Sequence, residues 1–105
     1  MDLSTRATGS VSTVALNGDL DERTAYETHV RVMALIPRYG KLILDMTDVA
    51  YMSSAGIRGL LLVHHHAKAL GSEVILSGLS DNLRETMTVT GFIHLFTMSD
   101  KERPT

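Results

Sequence analysis

Gly40-Lys41-Leu42-Ile43-Leu44-Asp45 is followed, after a short loop, by Ser53-Ser54-Ala55-Gly56-Ile57-Arg58-Gly59, and the change of pattern between the two decides the fold. The first is a compact apolar run bounded by Gly40 and an acidic loop, as expected of a strand buried on both faces at the centre of a sheet. The second opens a helix: Ile57, Leu60, Leu61, His64 and Ala67 share one stripe, and Gly71 stands where a C-terminal stop belongs. Leu62 and Val63 fall off that stripe and are expected to extend an exposed apolar patch.

Outward from this core the alternation continues. Val74-Ile75-Leu76 repeats the short-strand pattern, Ser80 caps a third helix to about Val89, Gly91 ends it, and residues 92–96 read as a last strand. Toward the N-terminus, Leu3, Thr5 and Ala7 alternate. After Gly9-Ser10 a second run, residues 11–16, closes at Asn17-Gly18, so the two form an edge hairpin. Asp21 is placed to cap a helix over residues 22–35, with Ala25, Thr28, Val32 and Leu35 at helical spacing until Pro37 forbids continuation. The order β-β-α-β-α-β-α-β predicts an α/β fold: a mostly parallel central sheet with an N-terminal edge hairpin and helices packed on it through right-handed crossovers. With no linker or internal repeat, residues 1–105 read as one domain whose charged end, residues 100–105, is frayed.

Composition narrows the chemistry. The chain is 44% apolar, enough for a core, and lacks cysteine, so disulfides and thiolate metal sites are excluded and a cytoplasmic location is the expectation. No apolar run is long enough to insert in a membrane, and the first residues lack the order of a signal peptide. A net charge of −2 without a basic cluster gives little counterion release, so direct nucleic-acid binding is not expected.

The enzyme readings fail residue by residue, so no catalytic residue is assigned. A nucleophile elbow around Ser54 needs glycine at position 52, which is Met52. His64, His65 and His66 are consecutive on a helix and point about 100° apart, so they cannot converge on one ion. Asp45 and Asp48 read as turn residues, the methionines mainly as gap fillers with Met52 as adaptable contact surface, and no phosphate-binding glycine loop occurs. No metal and no cofactor are expected. What remains is residues 45–59, where a strand end leads into a helix N-terminus, the usual place for function in open α/β sheets. Ser53 and Ser54 there can cap the helix, and Gly56 and Gly59 let its first turn approach the sheet. A phosphate added at that serine would be tolerated by the helix dipole, yet would place about −1.5 to −2 charge inside any docking surface.

The same run resembles the signature of the STAS family, the anti-sigma factor antagonists and their relatives, at Asp45, Val49, Tyr51, Met52, Ser54, Ala55 and Gly56. Gly18-Asp19-Leu20-Asp21 resembles the family's turn into the first helix, and Leu79-Ser80 with Thr90-Gly91-Phe92 and Leu95-Phe96 its third helix and final strand. The resemblance implies a non-catalytic protein that binds a kinase-type anti-sigma factor, loses that grip when the kinase phosphorylates the serine before the small residue and glycine, and is reset by a metal-dependent serine phosphatase. By position the acceptor is Ser54, with Ser53 as a second candidate. Asp21, Asp48, Tyr51, Met52, Ser53, Ser54, Ala55, Gly56, Ile57 and Arg58 form the expected partner-binding surface. Two departures stand out: Ser53 replaces the aspartate usual before the acceptor, and the fourth helix of many members is missing or vestigial after Phe96. The alternative is a non-switching STAS module of a stress-signalling scaffold or lipid-transporter complex, in which Ser54 mainly caps the helix.

Overall fold

The computed structural model describes residues 1–99. The edge hairpin forms as expected: β1 (Asp2–Thr8) pairs antiparallel with β2 (Val11–Asn17), in the register Asp2 opposite Asn17 and Thr8 opposite Val11. β1 is polar and mostly exposed, as suits an edge strand; only its Leu3 packs against the core. α1 (Ala25–Met33) and β3 (Lys41–Asp48) follow, then α2 (Ser54–Ala69), β4 (Glu73–Ser77), α3 (Asp81–Thr90) and a two-residue β5 (Thr97–Met98). The sheet order is β1-β2-β3-β4-β5, parallel from β2 onward, which puts β3 at its centre.

Period-two alternation separates the faces of the central strands. Leu42 and Leu44 on β3, with Val74 and Leu76 on β4, enter the main hydrophobic cluster, where they meet Val32 of α1, Leu60 and Val63 of α2, and Leu83 and Met87 of α3. Ile43 and Ile75, opposite one another in register, are buried outside that cluster. Both faces of the sheet centre are therefore dry, and the unbroken apolar run in β3 is the consequence.

Three sequence expectations change. α1 starts three residues later than the spacing indicates, because Asp21 does not cap it directly. Its carboxylate instead accepts the Arg23 N–H at 2.9 Å and the Thr24 N–H at 3.3 Å, forming a preliminary turn, and Thr24 becomes the N-cap. Residues 92–96 are not a strand: Gly91 takes a left-handed C-cap conformation and turns Phe92–Leu95 into one 3₁₀ turn, after which only Thr97 and Met98 pair with β4. Val63, expected outside the buried stripe, is 1% exposed, whereas Leu62 is 46% exposed. α2 packs against both α1 and β4, so its buried arc is wider than a single stripe and takes in Gly59 and Val63. The expectations for a frayed end and for a fourth helix fall on residues 100–105, outside the described residues.

The two leucine-face neighbours give a direct check. Val63→Ala should cost about 2 kcal/mol of stability in urea unfolding, and Leu62→Ala no more than about 0.5 kcal/mol. A pH effect follows from His64, which is half-buried in the second half of α2 with its ring 5.5 Å from that of Phe96. Burial, then the charges of His65 and Lys68, lowers its pKa below the ordinary imidazole value. The unfolded chain therefore binds the proton more readily, so stability should fall as the pH drops through the range where a free imidazole protonates. Thermal melts of His64→Gln should show a shallower decline over that range.

Candidate functional site

The loop from β3 to α2 is held by a neighbour distant in sequence. Leu20 forms a parallel bridge with Met52: the Leu20 N–H donates to the Tyr51 carbonyl at 3.0 Å, and the Ser53 N–H donates to the Leu20 carbonyl at 2.8 Å. One step earlier the Gly18 N–H reaches the Asp48 carbonyl at 3.2 Å. The turn at residues 18–21 and the loop before α2 are thus one backbone ladder beyond the sheet's carboxyl edge. Gly56 completes the join. A Cβ at that position would lie 2.6 Å from the Leu20 carbonyl oxygen and 2.8 Å from Met52 Cγ, so only glycine lets the first turn of α2 close on the ladder.

The two serines part company here. Ser53 is the N-cap of α2: it is 6% exposed, its Oγ accepts the Gly56 N–H at 3.4 Å, and its carbonyl accepts the Ile57 N–H at 3.0 Å. Ser54 is the first helical residue and is exposed, with no cap bond to make. Ser53 as a second phosphoacceptor is therefore corrected, since its hydroxyl is buried and occupied. The idea that Ser54 mainly caps the helix is corrected with it.

The remaining expected contact residues divide by depth. Asp48 and Arg58 are exposed, Tyr51 is 52% exposed, and Ala55 and Asp21 are half-buried. Met52 is 5% exposed and belongs to the core cluster, so it is not adaptable contact surface; bridging to Leu20 points its side chain inward. Gly56 and Ile57 are likewise buried and shape the surface from beneath. Asp21 keeps its carboxylate engaged in its own turn, where the Arg23 N–H, and then the Arg23 charge, hold its pKa below the ordinary value. Asp45 is also occupied, its Oδ1 accepting the Thr47 N–H at 3.0 Å and the Thr47 hydroxyl at 2.6 Å.

Two shallow grooves flank the exposed first turns of α2. One, of about 270 Å³, runs from Ser54 and Arg58 past Ile57 and Leu61 to Thr90 and Phe92. The other, of about 170 Å³, separates α2 from α1 and is bordered by Glu22, Tyr26, His29, Ala55, Arg58 and Leu62. Leu61, Thr90 and Phe92 were not expected in the site. Their signal was Gly91, whose reversal of the chain carries Phe92 back toward α2.

A family model described as the STAS domain matches residues 2–103. The chain belongs to the STAS family. Among its relatives, this STAS domain is 27% identical over 86 residues to BtrV of Bordetella bronchiseptica, a candidate anti-sigma factor antagonist, covering 81% of this chain and 74% of that one. The fold matches a candidate anti-sigma factor antagonist from Thermotoga maritima with a TM-score of 0.84 at 12% identity, covering 95% of this chain and 87% of that one. It also matches the phosphorylated form of the Bacillus cell-fate determinant SpoIIAA, with a TM-score of 0.69 at 16% identity and coverage of 96% and 94%.

Substitutions at the α2 start should separate by role in urea unfolding. Ser53→Ala should cost about 1 kcal/mol through the lost cap, Gly56→Ala about 1–3 kcal/mol through overpacking against Leu20, and Ser54→Ala should be close to neutral.

Proposed function

We propose that this STAS domain is an anti-sigma factor antagonist that docks a kinase-type anti-sigma factor and is switched off by phosphorylation of Ser54. The observation that carries the proposal is the division between neighbouring serines: one hydroxyl is buried in the cap, and the next stands exposed on the first turn of α2. The cap survives modification because it belongs to Ser53. The added dianion lies at the favourable end of the helix dipole, so the fold tolerates it. A partner covering Asp48, Tyr51, Ser54 and Arg58 would have to desolvate that dianion with no group of its own to match it, and the contact fails instead.

The names of the relatives support this reading, as does the existence of a phosphorylated form for SpoIIAA, a protein of the same fold. The domain acts by being covered or released rather than by turnover. A serine phosphatase of the metal-dependent class returns it to the binding form. Neither a cofactor nor nucleic acid takes part, and among the described residues no helix is long and apolar enough to cross a membrane.

Incubation with the cognate kinase and ATP should add one phosphate, mapped by mass spectrometry to Ser54 and absent from Ser54→Ala. Ser54→Asp should weaken kinase binding at least about tenfold in calorimetry while the far-ultraviolet circular dichroism stays unchanged. Phosphate mapping to another residue, or equal affinity for the phosphorylated and unmodified proteins, would overturn the proposal.

A further inference from the structure

Arg58 is one helical turn beyond Ser54. On an α-helix, residues four apart share a face with their Cβ atoms about 6 Å apart, and the acidic member gains most when it is the N-terminal one. A phosphorylated Ser54 followed by Arg58 has that order. The two side chains also border the same groove, Ser54 and Arg58 at one end and Thr90 and Phe92 at the other. Arg58 is exposed, and among the described residues it has no carboxylate partner: the ion pairs join Arg23 to Asp21 and Arg31 to Glu27. The first turn of α2 carries no acidic side chain to compete for it. Glu22 is the carboxylate that borders the other groove with Arg58, across from α1.

The donors of the first turn point the same way. Ser53 already takes the Gly56 N–H with its hydroxyl and the Ile57 N–H with its carbonyl. The Ser54 and Ala55 N–H groups have no acceptor among the described residues. A phosphate on Ser54 Oγ would meet those donors on one side and the exposed Arg58 guanidinium on the other.

We propose that Arg58 is the positioning residue for the phosphoryl group, folding back one turn to pair with phosphorylated Ser54 along the groove wall. The inference rests on Ser54 as the acceptor and adds a second consequence to its modification. Unmodified, the docking face offers a free guanidinium to an acidic partner group; phosphorylated, it gains a dianion and loses that cation to an internal pair. One covalent event thus alters the surface at two points a helical turn apart.

The test uses the full chain made with phosphoserine installed at position 54 during synthesis, followed by phosphorus NMR across the second phosphate ionisation. With Arg58 present, the phosphate should titrate about half a pH unit lower than in Arg58→Gln, and Arg58→Lys should recover most of the difference, because the charge pair stabilises the dianion. Circular dichroism of the unmodified Arg58→Gln protein should match the parent, as expected for an exposed side chain. Equal titration of parent and Arg58→Gln phosphoproteins would overturn the pairing. Because the phosphoserine is built in, this result does not depend on any kinase, and the labelling experiment above tests the switch separately.

Discussion

The site depends on the backbone ladder between Leu20 and residues 51–53. Two hydrogen bonds of 2.8 and 3.0 Å join segments that the chain separates by a whole helix and strand, and Gly56 presses against the Leu20 carbonyl from above. Backbone groups pushed under a helix N-terminus need partners, and here each segment supplies the other's. With the ladder in place the direction of α2 is set. The exposed residue of its first turn is then set too, because Met52 is locked inward and each following residue advances by about 100°.

That constraint explains why two adjacent serines have different chemistry. The N-cap position needs an acceptor for the N–H groups of the first turn, and its extended backbone brings the side chain back over them. Ser53 meets this need with a short hydroxyl at a place where the family's usual aspartate would put a charge. The next residue has helical geometry and points away. In the proposed switch, a neutral cap leaves the loop one negative charge fewer before modification, so a phosphate on Ser54 would be read against a less acidic background.

The grooves on either side of α2 follow from how its neighbours end. α1 starts late, after the Asp21 turn, which leaves a gap beside Ala55 and Arg58 that Tyr26 and Glu22 border. On the other side, α3 stops at Gly91 and the chain turns through Phe92–Leu95 before the short β5. One groove thus lies where α1 starts later than its spacing indicates and the other where the chain turns after α3 instead of extending, and Arg58 borders both.

Local pattern alone was enough for the order of the elements, the edge hairpin and the helix stop at Gly91, since each rests on periodicity or on a residue free to turn left-handed. Pattern misjudged what depends on packing from two sides. Val63 is buried because α2 packs against both α1 and β4, and residues 92–96 cannot extend because the reversal at Gly91 leaves only Thr97 and Met98 in register with β4. The sequence by itself determined that a serine pair begins the second helix at the edge of a parallel sheet. Only the tertiary structure decided which hydroxyl of the pair faces solvent, because that choice is made by Leu20, a residue whose nearness to Ser53 no local spacing records.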